Sequence, residues 1–408
     1  MAGARPVASH RRGGALLFVD LDEFKQINDS LSHAAGDEVL TEVGRRLGSV
    51  TRAGDTVARL GGDEFAVLLD DAGPDSVIED TAERILDAVS APIQITDGLV
   101  HVTASIGSAS LPGAQGSTES GTTTAGLLHR ADVALHRAKD AGRNRHVQFH
   151  PEHLEHARRR RDREDALREA LGAQEITAVF QPVIDVADGR VVAAEALARW
   201  RGADGSSVPP QEFIEAAEAS GLITRLGDSM LRQSCAAALA WDEPLRVAVN
   251  VSALELHRSD YAETVLRILD ETGLPAQRLE LEVTETQWVN DAVVSSEALS
   301  TLAGAGVSVV LDDFGTGYSS FRHLADMPVS GVKIDRSFIG SVTTDERCAS
   351  VVRAILCMAY ELGLRSIAEG VETQEQLDFL VENGVTHAQG YLIGRPSTHP
   401  PRSRLAER

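Results

Sequence analysis

From residue 175 onward the sequence repeats one pattern, and no other feature limits the possible folds as tightly. Short apolar runs alternate with longer amphipathic segments. Eight runs read as strands: AVFQPVI, VVAAEALARW, RVAVNVS, LELEVTE, VSVVLDD, GVKID, SIAEG and THAQG. Helical segments such as PQEFIEAAEASGLITRLGDSMLRQSCAAALA and TQEQLDFLVENG separate most of them. Eight strands with helical crossovers predict a (β/α)8 barrel. The first connection is the exception. DVADGR is too short for a helix, so the first two strands are expected to run antiparallel.

Barrel active sites lie at the carboxyl ends of the strands and in the loops that follow. The polar residues nearest those ends are Gln181, Glu195, Asn250, Glu282 with Glu285, Asp312 with Asp313, Lys333 with Asp335, Glu369 with Glu372, and Gln389. One polar strand end means little, but a full set of acids and amides with one lysine predicts a ring around a single mouth. The stretch VVLDDFGTG is the most demanding part. Strand side chains alternate faces, so Asp312 and Asp313 should point apart. Where the chain is already turning they can converge, at a repulsive cost that bound cations would offset. Oxygen donors without Cys or His suit Mg2+ or Mn2+. Two such ions about 3.5–4 Å apart serve in-line phosphoryl displacement. Lys333 would then hold the attacking water or neutralise charge on phosphorus. The plainer alternative is that these acids pair with arginines at a barrel rim.

The chain's 408 residues leave room for two or three domains. Residues 1–150 read as a separate α/β unit. ALLFVDLDEF is a strand ending in Asp20 and Asp22, and a helical stretch follows, interrupted at a Gly/Asp break. TVARLGGDEFAVLLD is a hairpin around Gly61 and Gly62, VHVTASIGSASL is a strand, and 113–126 is a Gly/Ser/Thr loop before an amphipathic helix with a basic end. Residues 151–170 form a charged helical linker in which Arg158–Arg161 are flanked by acids, and 171–402 carry the barrel. The formal net charge of −22 argues against a nucleic-acid polymer or an anionic membrane as partner, yet admits a phosphate ligand screened by metal. Cys235, Cys348 and Cys357 lack metal-ligand spacing and read as reduced thiols. With no apolar run of membrane-spanning length, the expected location is the cytoplasm.

The barrel motifs EALARW (195–200), NVS (250–252), EVTET (282–286), DDFGTGYSS (312–320), KID (333–335), EGVET (369–373) and QGYLIGRP (389–396) resemble EAL-domain cyclic-di-GMP phosphodiesterases. Upstream, DLDEFKQINDSLSHAAGD and RLGGDEF resemble the GGDEF diguanylate cyclase domain, a nucleotidyl-cyclase-like α/β sandwich. Together the resemblances cover nearly the whole chain. For the barrel they imply two divalent metals on Glu195, Asn250, Glu282, Asp312, Asp313 and Glu369, with Lys333 at the nucleophilic water. Glu285 would steady the loop after Asp313, and Gln181, Leu197, Arg199, Asp335, Glu372 and Gln389 would contact substrate. The implied reaction is hydrolysis of cyclic di-GMP to linear pGpG.

For the first domain the resemblance implies Mg2+ on a nucleoside triphosphate at Asp20, Asp63 and Glu64, with Gly61 and Gly62 letting the backbone approach phosphate. Asn28 and Asp37 would read guanine beside Phe24, and Lys139 and Arg143 would contact phosphates. Arg52 and Asp55 of RAGD match an inhibitory product site. Two features depart from the pattern. Ser32 stands where glycine is usual, and the segment DxLTGLxNR does not precede ALLFVDLDEF. The expectation is therefore a shortened GGDEF domain that binds GTP as a regulatory module or cyclises it weakly. A bifunctional enzyme and a non-catalytic cyclic-di-GMP receptor are the alternatives, and a homodimer is expected by analogy.

Overall fold

The computed structural model describes residues 13–70, 75–96, 98–110, 124–202, 205–284, 292–315 and 327–400. The chain divides into two compact units, Met1–Arg161 and Asp162–Arg408.

The first unit is built on strands β1 (Ala15–Leu21), β2 (Thr56–Gly61), β3 (Glu64–Leu69), β4 (Ile93–Ile95), β5 (Gly98–Val100), β6 (Ala104–Ser110) and β7 (His146–Gln148). Five of these form a sheet in the order β2-β3-β1-β6-β7, and β4 and β5 make a small separate ribbon. Strand β1 is buried along its whole length. Its alternation divides two cores. Leu17, Val19 and Leu21 pack with Val39, Val43 and Leu47 of helix His33–Val50 and Ile78, Ala82 and Ile85 of helix Asp75–Ser90. Leu16 and Phe18 pack with Leu127, Ala131 and Leu135 of helix Thr124–Asp140. A sheet between helical layers results, as expected. The helical break does not fall at Gly36-Asp37, however. It falls at Ser32, whose hydroxyl caps helix His33–Val50 by accepting from Ala35 N at 3.1 Å. Gly36 lies within that helix, and its missing Cβ, which would stand 2.1 Å from Asn28 Oδ1, leaves the gap through which helix Phe24–Ser30 approaches. The charged segment is a helix from Pro151 to Ala173. Residues 113–123 of the Gly/Ser/Thr loop lie outside the described residues.

The second unit contains β8 (Ile176–Asp185), β9 (Val191–Arg201), β10 (Ser207–Val208), β11 (Arg246–Asn250), β12 (Leu279–Thr284), β13 (Ser308–Phe314), β14 (Gly331–Ile334), β15 (Arg365–Ala368) and β16 (His387–Gln389). All eight sequence-read strands are present. The barrel runs β9-β11-β12-β13-β14-β15-β16-β8 and closes where β8 pairs with β9. Strand β8 is antiparallel to both neighbours, while β9 and β11 through β16 are mutually parallel. The long segment after β9 folds as two helices, Pro210–Ser220 and Ile223–Leu239, because Gly221 turns left-handed at φ 72°.

Strand period two stacks the barrel interior in layers. Asp185, Arg246, Glu280, Arg365 and His387 share the lower level. Glu280 is buried and accepts from Arg365 at 2.8 Å, with Arg246 at 3.8 Å. Two residues along, Val183, Ala193, Val310 and Ile367 form an apolar plug. Two residues further stand Gln181, Glu195, Asp312 and Glu369. The plug separates the floor ions from the mouth, so each polar layer must be satisfied by itself. No helix among the described residues is long and apolar enough to cross a membrane.

Candidate active site

The mouth is organised around Lys333, 1% exposed at the end of β14. Its ammonium lies 2.5 Å from Glu369, 3.0 Å from Glu282, 3.4 Å from Asp312 and 3.6 Å from Glu195. Four carboxylates face one ammonium. Among the described residues the cation these acids share is Lys333, not a rim arginine, which disfavours the plainer alternative. Glu195 is fixed from two sides, by Asn250 Nδ2 at 2.8 Å and Gln389 Nε2 at 2.6 Å. Gln389 also donates to Gln181 Oε1 at 3.2 Å, and Gln181 donates to the Gly394 carbonyl. Gln181 reaches the ring from the middle of antiparallel β8, opposite Glu195, rather than from a strand end.

The adjacent aspartates converge through a local irregularity. Leu311 pairs with Val332 and Phe314 with Ile334, so two residues of β13 oppose one of β14. Asp313 sits at φ 52°, a left-handed conformation rare outside glycine. The bulge cancels the alternation. Asp312, Asp313 and Glu369 bring one oxygen each within 4.8 Å of one another, a grouping that could hold a metal ion. Strain of roughly 1–3 kcal/mol is normal at such a position. The same bulge lets Asp313 N donate to Asp312 Oδ1 at 2.9 Å.

The electrostatics follow from burial and crowding. Burial pushes Glu282 well above the usual carboxylate range, against the pull of Lys333. Glu369 is pushed up to about 8, first by burial and then by Asp312 and Glu195. Asp313 is raised by burial, Asp312 and Asp335. Burial acts upward on Glu195 too, but Lys333 and the donors Gln389 and Asn250 outweigh it and hold the group low. For Lys333 burial favours the neutral amine, and the four carboxylates overcome it, so its pKa is raised well above the ordinary value. A set of hard oxygen donors with surplus negative charge fits a divalent cation.

Above the ring opens a cavity of about 690 Å3 lined by Gln181, Glu195, Leu197, Asp312, Asp313, Asp335, Glu369, Glu372 and Gln389. Arg336, Ser337 and Tyr391, which sequence reasoning missed, complete the lining with Gly370 and Gly390. Asp335 caps helix Arg336–Gly340 and accepts from Ser337. Arg199 and Asn250 instead line a neighbouring cavity of about 350 Å3, with Leu197 bordering both. The Arg199 guanidinium donates to the Ala198 carbonyl at 2.8 Å. Glu285 and residues 316–320 of the DDFGTGYSS loop lie outside the described residues.

In the first unit Asp20, at the end of β1, pairs across the sheet with Glu64 and is ion-paired to Lys139 at 2.7 Å. Burial raises its pKa despite Lys139. Gly62 turns the β2–β3 hairpin at φ 52°, and Arg59 donates to its carbonyl. Asp63 accepts at its carbonyl from Leu21 N. Phe24 is buried, Asn28 half-buried and Asp37 exposed on its helix. Arg143 follows the helix carrying Lys139 at φ 58°. Arg52 and Asp55 form a tight surface turn in which Asp55 Oδ2 accepts from Arg52 N at 2.8 Å. Asp22, which sequence reasoning gave no role, accepts from Thr103, Ser105 and Asn144 N and so anchors the turn beside Arg143. Its signal is its position two residues after Asp20, just past the end of β1.

Fold and site together define a (β/α)8 barrel with a carboxylate-ringed, lysine-centred mouth, preceded by an α/β sandwich. Comparison with known proteins makes this specific. The family model described as EAL domain matches residues 164–396, and the model described as diguanylate cyclase, GGDEF domain, matches residues 4–145. The chain belongs to the EAL family, with a GGDEF domain in tandem before the barrel. It is 40% identical over 389 residues to the cyclic di-GMP phosphodiesterase NbdA of Pseudomonas aeruginosa, covering 94% of this chain and 49% of that protein. It is 38% identical over 386 residues to the bifunctional diguanylate cyclase/cyclic di-GMP phosphodiesterase MucR of the same organism, covering 94% of this chain and 55% of MucR. The chain spans about half the length of the curated relatives it matches. A solved structure titled PaMucR phosphodiesterase, c-di-GMP complex, is 35% identical with a TM-score of 0.56, over 58% of this chain and 97% of that one.

Proposed function

We propose that the barrel hydrolyses one phosphodiester bond of cyclic di-GMP to give linear pGpG. The observation that carries this reading is the convergence of Glu195, Glu282, Asp312 and Glu369 on Lys333, with Asp313 brought beside them by the β13 bulge. Similarity to the phosphodiesterases named above supports cyclic di-GMP as the substrate. Glu195, Asn250, Glu282, Asp312, Asp313 and Glu369 would hold two divalent ions, Mg2+ or Mn2+. When bound, such ions lower the pKa of water and stabilise charge on the leaving oxygen. Lys333, ringed by carboxylates, is an ammonium and acts as a donor: it orients the attacking water and offsets charge developing on phosphorus. Lys333, and after it Gln389 and Asn250, keep Glu195 ionised, and the two amides hold it correctly turned. Asp335, Glu372, Gln181 and Leu197 position the dinucleotide in the cavity, and Arg199 contacts it from the neighbouring one.

The first domain, residues 1–150, joined to the barrel domain (171–402) through a helical linker (151–170), serves as a GTP-binding regulatory module or a weak cyclase. The Asp20–Lys139 pair beside Glu64 favours this second activity, because it sets a proposed metal ligand against a proposed phosphate contact. Phe24, Asn28 and Asp37 would hold guanine, Gly61, Gly62, Lys139 and Arg143 the phosphates, Asp20, Asp63 and Glu64 the Mg2+, and Arg52 and Asp55 inhibitory product. A cytoplasmic homodimer is the setting proposed for both.

The test is product analysis of the full chain with cyclic di-GMP and either metal, then with GTP and Mg2+ in a Lys333→Ala background. Formation of pGpG by the parent chain and its loss in the variant are expected. Folded parent protein that yields no pGpG with either metal refutes the hydrolase reading. Cyclic di-GMP made from GTP would establish the bifunctional one.

A further inference from the structure

We infer that Tyr391 is the stacking wall for a purine of the substrate, with Arg395 holding its ring in place. The inference rests on the phosphodiesterase reading above. The acid cavity supplies oxygen donors for cations and polar groups for phosphate, but a purine ring needs an apolar or π surface. Among the described lining residues Tyr391 is the one aromatic side chain and Leu197 the one aliphatic. Tyr391 is 51% exposed, unlike the buried aromatics of the core. The Arg395 guanidinium carbon lies 4.3 Å from its ring centroid, so a cation covers part of the plate while half of the side chain stays open.

The backbone beneath the ring is fixed on every side. A Cβ at Gly390 would stand 2.1 Å from the Val371 carbonyl oxygen and 2.3 Å from its nitrogen, so only glycine lets the two chain segments touch. Val371 N donates to the Gln389 carbonyl at 3.0 Å, and Leu392 N donates to the Val371 carbonyl at 3.1 Å. Ile393 N and Gly394 N both donate to the Gly390 carbonyl. Gln389 in turn donates to Glu195 in the acid ring. Three consecutive residues therefore tie a ring carboxylate and the aromatic plate into one rigid piece. The distance from base to scissile phosphate is set by that piece, and this is the geometry a site needs to align a dinucleotide for attack.

The experiment uses the full chain as parent, Tyr391→Ala, Tyr391→Phe and Arg395→Ala. Cyclic di-GMP binding is measured by calorimetry with Ca2+ present, alongside KM, kcat and a separate Mn2+ titration. Tyr391→Ala should weaken cyclic di-GMP binding and raise KM by about tenfold or more, the weight of one base–aromatic stack, with the Mn2+ isotherm unchanged. Tyr391→Phe, which keeps the plate, should bind as the parent does. Arg395→Ala, which frees the ring without removing it, should weaken binding by about two- to fivefold. Parent-like binding by Tyr391→Ala, or equal losses in Ala and Phe variants, overturns the inference. Loss of Mn2+ binding in Tyr391→Ala also overturns it, by assigning the residue a structural role. A parent chain that binds no cyclic di-GMP removes the functional reading itself and this inference with it.

Discussion

Gly390→Ala tests how tightly the mouth is built. The new Cβ would meet three backbone atoms of Val371, at 2.1, 2.3 and 2.6 Å, and none of these can swing away as a side-chain end could. Overpacking of this kind costs about 1–3 kcal/mol. The segments must part, which weakens the hydrogen bonds from Val371 N to Gln389 and from Leu392 N to Val371, at about 0.5–1.5 kcal/mol each. The lower backbone entropy of unfolded alanine returns about 0.4–1 kcal/mol. The net is a loss of roughly 2–4 kcal/mol from the barrel. Urea unfolding followed by tryptophan fluorescence reads it selectively, because Trp200, Trp241 and Trp288 all belong to the second unit. The displaced strand end carries Gln389 and Tyr391, so KM for cyclic di-GMP should rise as well. A midpoint and a KM both at parent values would refute the close-approach argument.

Two further outcomes are expected. His387 is pushed down to about 4, first by burial and then by Arg365 and Arg246. Its unfolded value is about 6.5, so the unfolded chain takes the proton first. The contribution to stability is complete above about pH 6.5 and is lost as pH falls toward 4, about 2 kcal/mol of it by pH 5; urea midpoints of parent and His387→Gln should converge as pH falls from 7 to 5, and parallel curves would contradict this. Ser32→Ala removes the cap on helix His33–Val50 at a cost of about 1 kcal/mol. Hydrogen exchange at Ala35 and Gly36 should quicken several-fold, whereas unchanged rates would show that Ser32 does not hold the helix start.

Much of the barrel was legible because its signals are local. Eight apolar runs, one short first connection and polar strand ends are all read along the chain, and the strand order and the antiparallel β8 follow from them. The candidate site was legible as a set of residues but not as an arrangement. That Lys333 is the hub follows from inward alternation on five separate strands, which no single stretch of sequence displays. The convergence of Asp312 and Asp313 depends on a left-handed residue and a bulge, both contrary to the usual preferences of a strand. Gly36 and Gly390 act through neighbours that are close in space, so their close contacts do not show along the chain, and Gly36 reads there as a helix break instead. Ser32 stands out in the sequence as a replacement for glycine, and a serine directly before an amphipathic run is also a capping signal. Tyr391 gives no signal along the chain, because its meaning lies in the cavity it borders and in Arg395 on its ring.

The most direct measurement is calorimetric titration of Mn2+ into the full chain, beside the double variant Asp312→Asn, Asp313→Asn. If the acids at the barrel mouth are a divalent-cation site, the parent takes up two ions there, releases protons from the raised carboxyls, and the variant loses that uptake while staying folded. Equal isotherms from parent and folded variant would contradict the account.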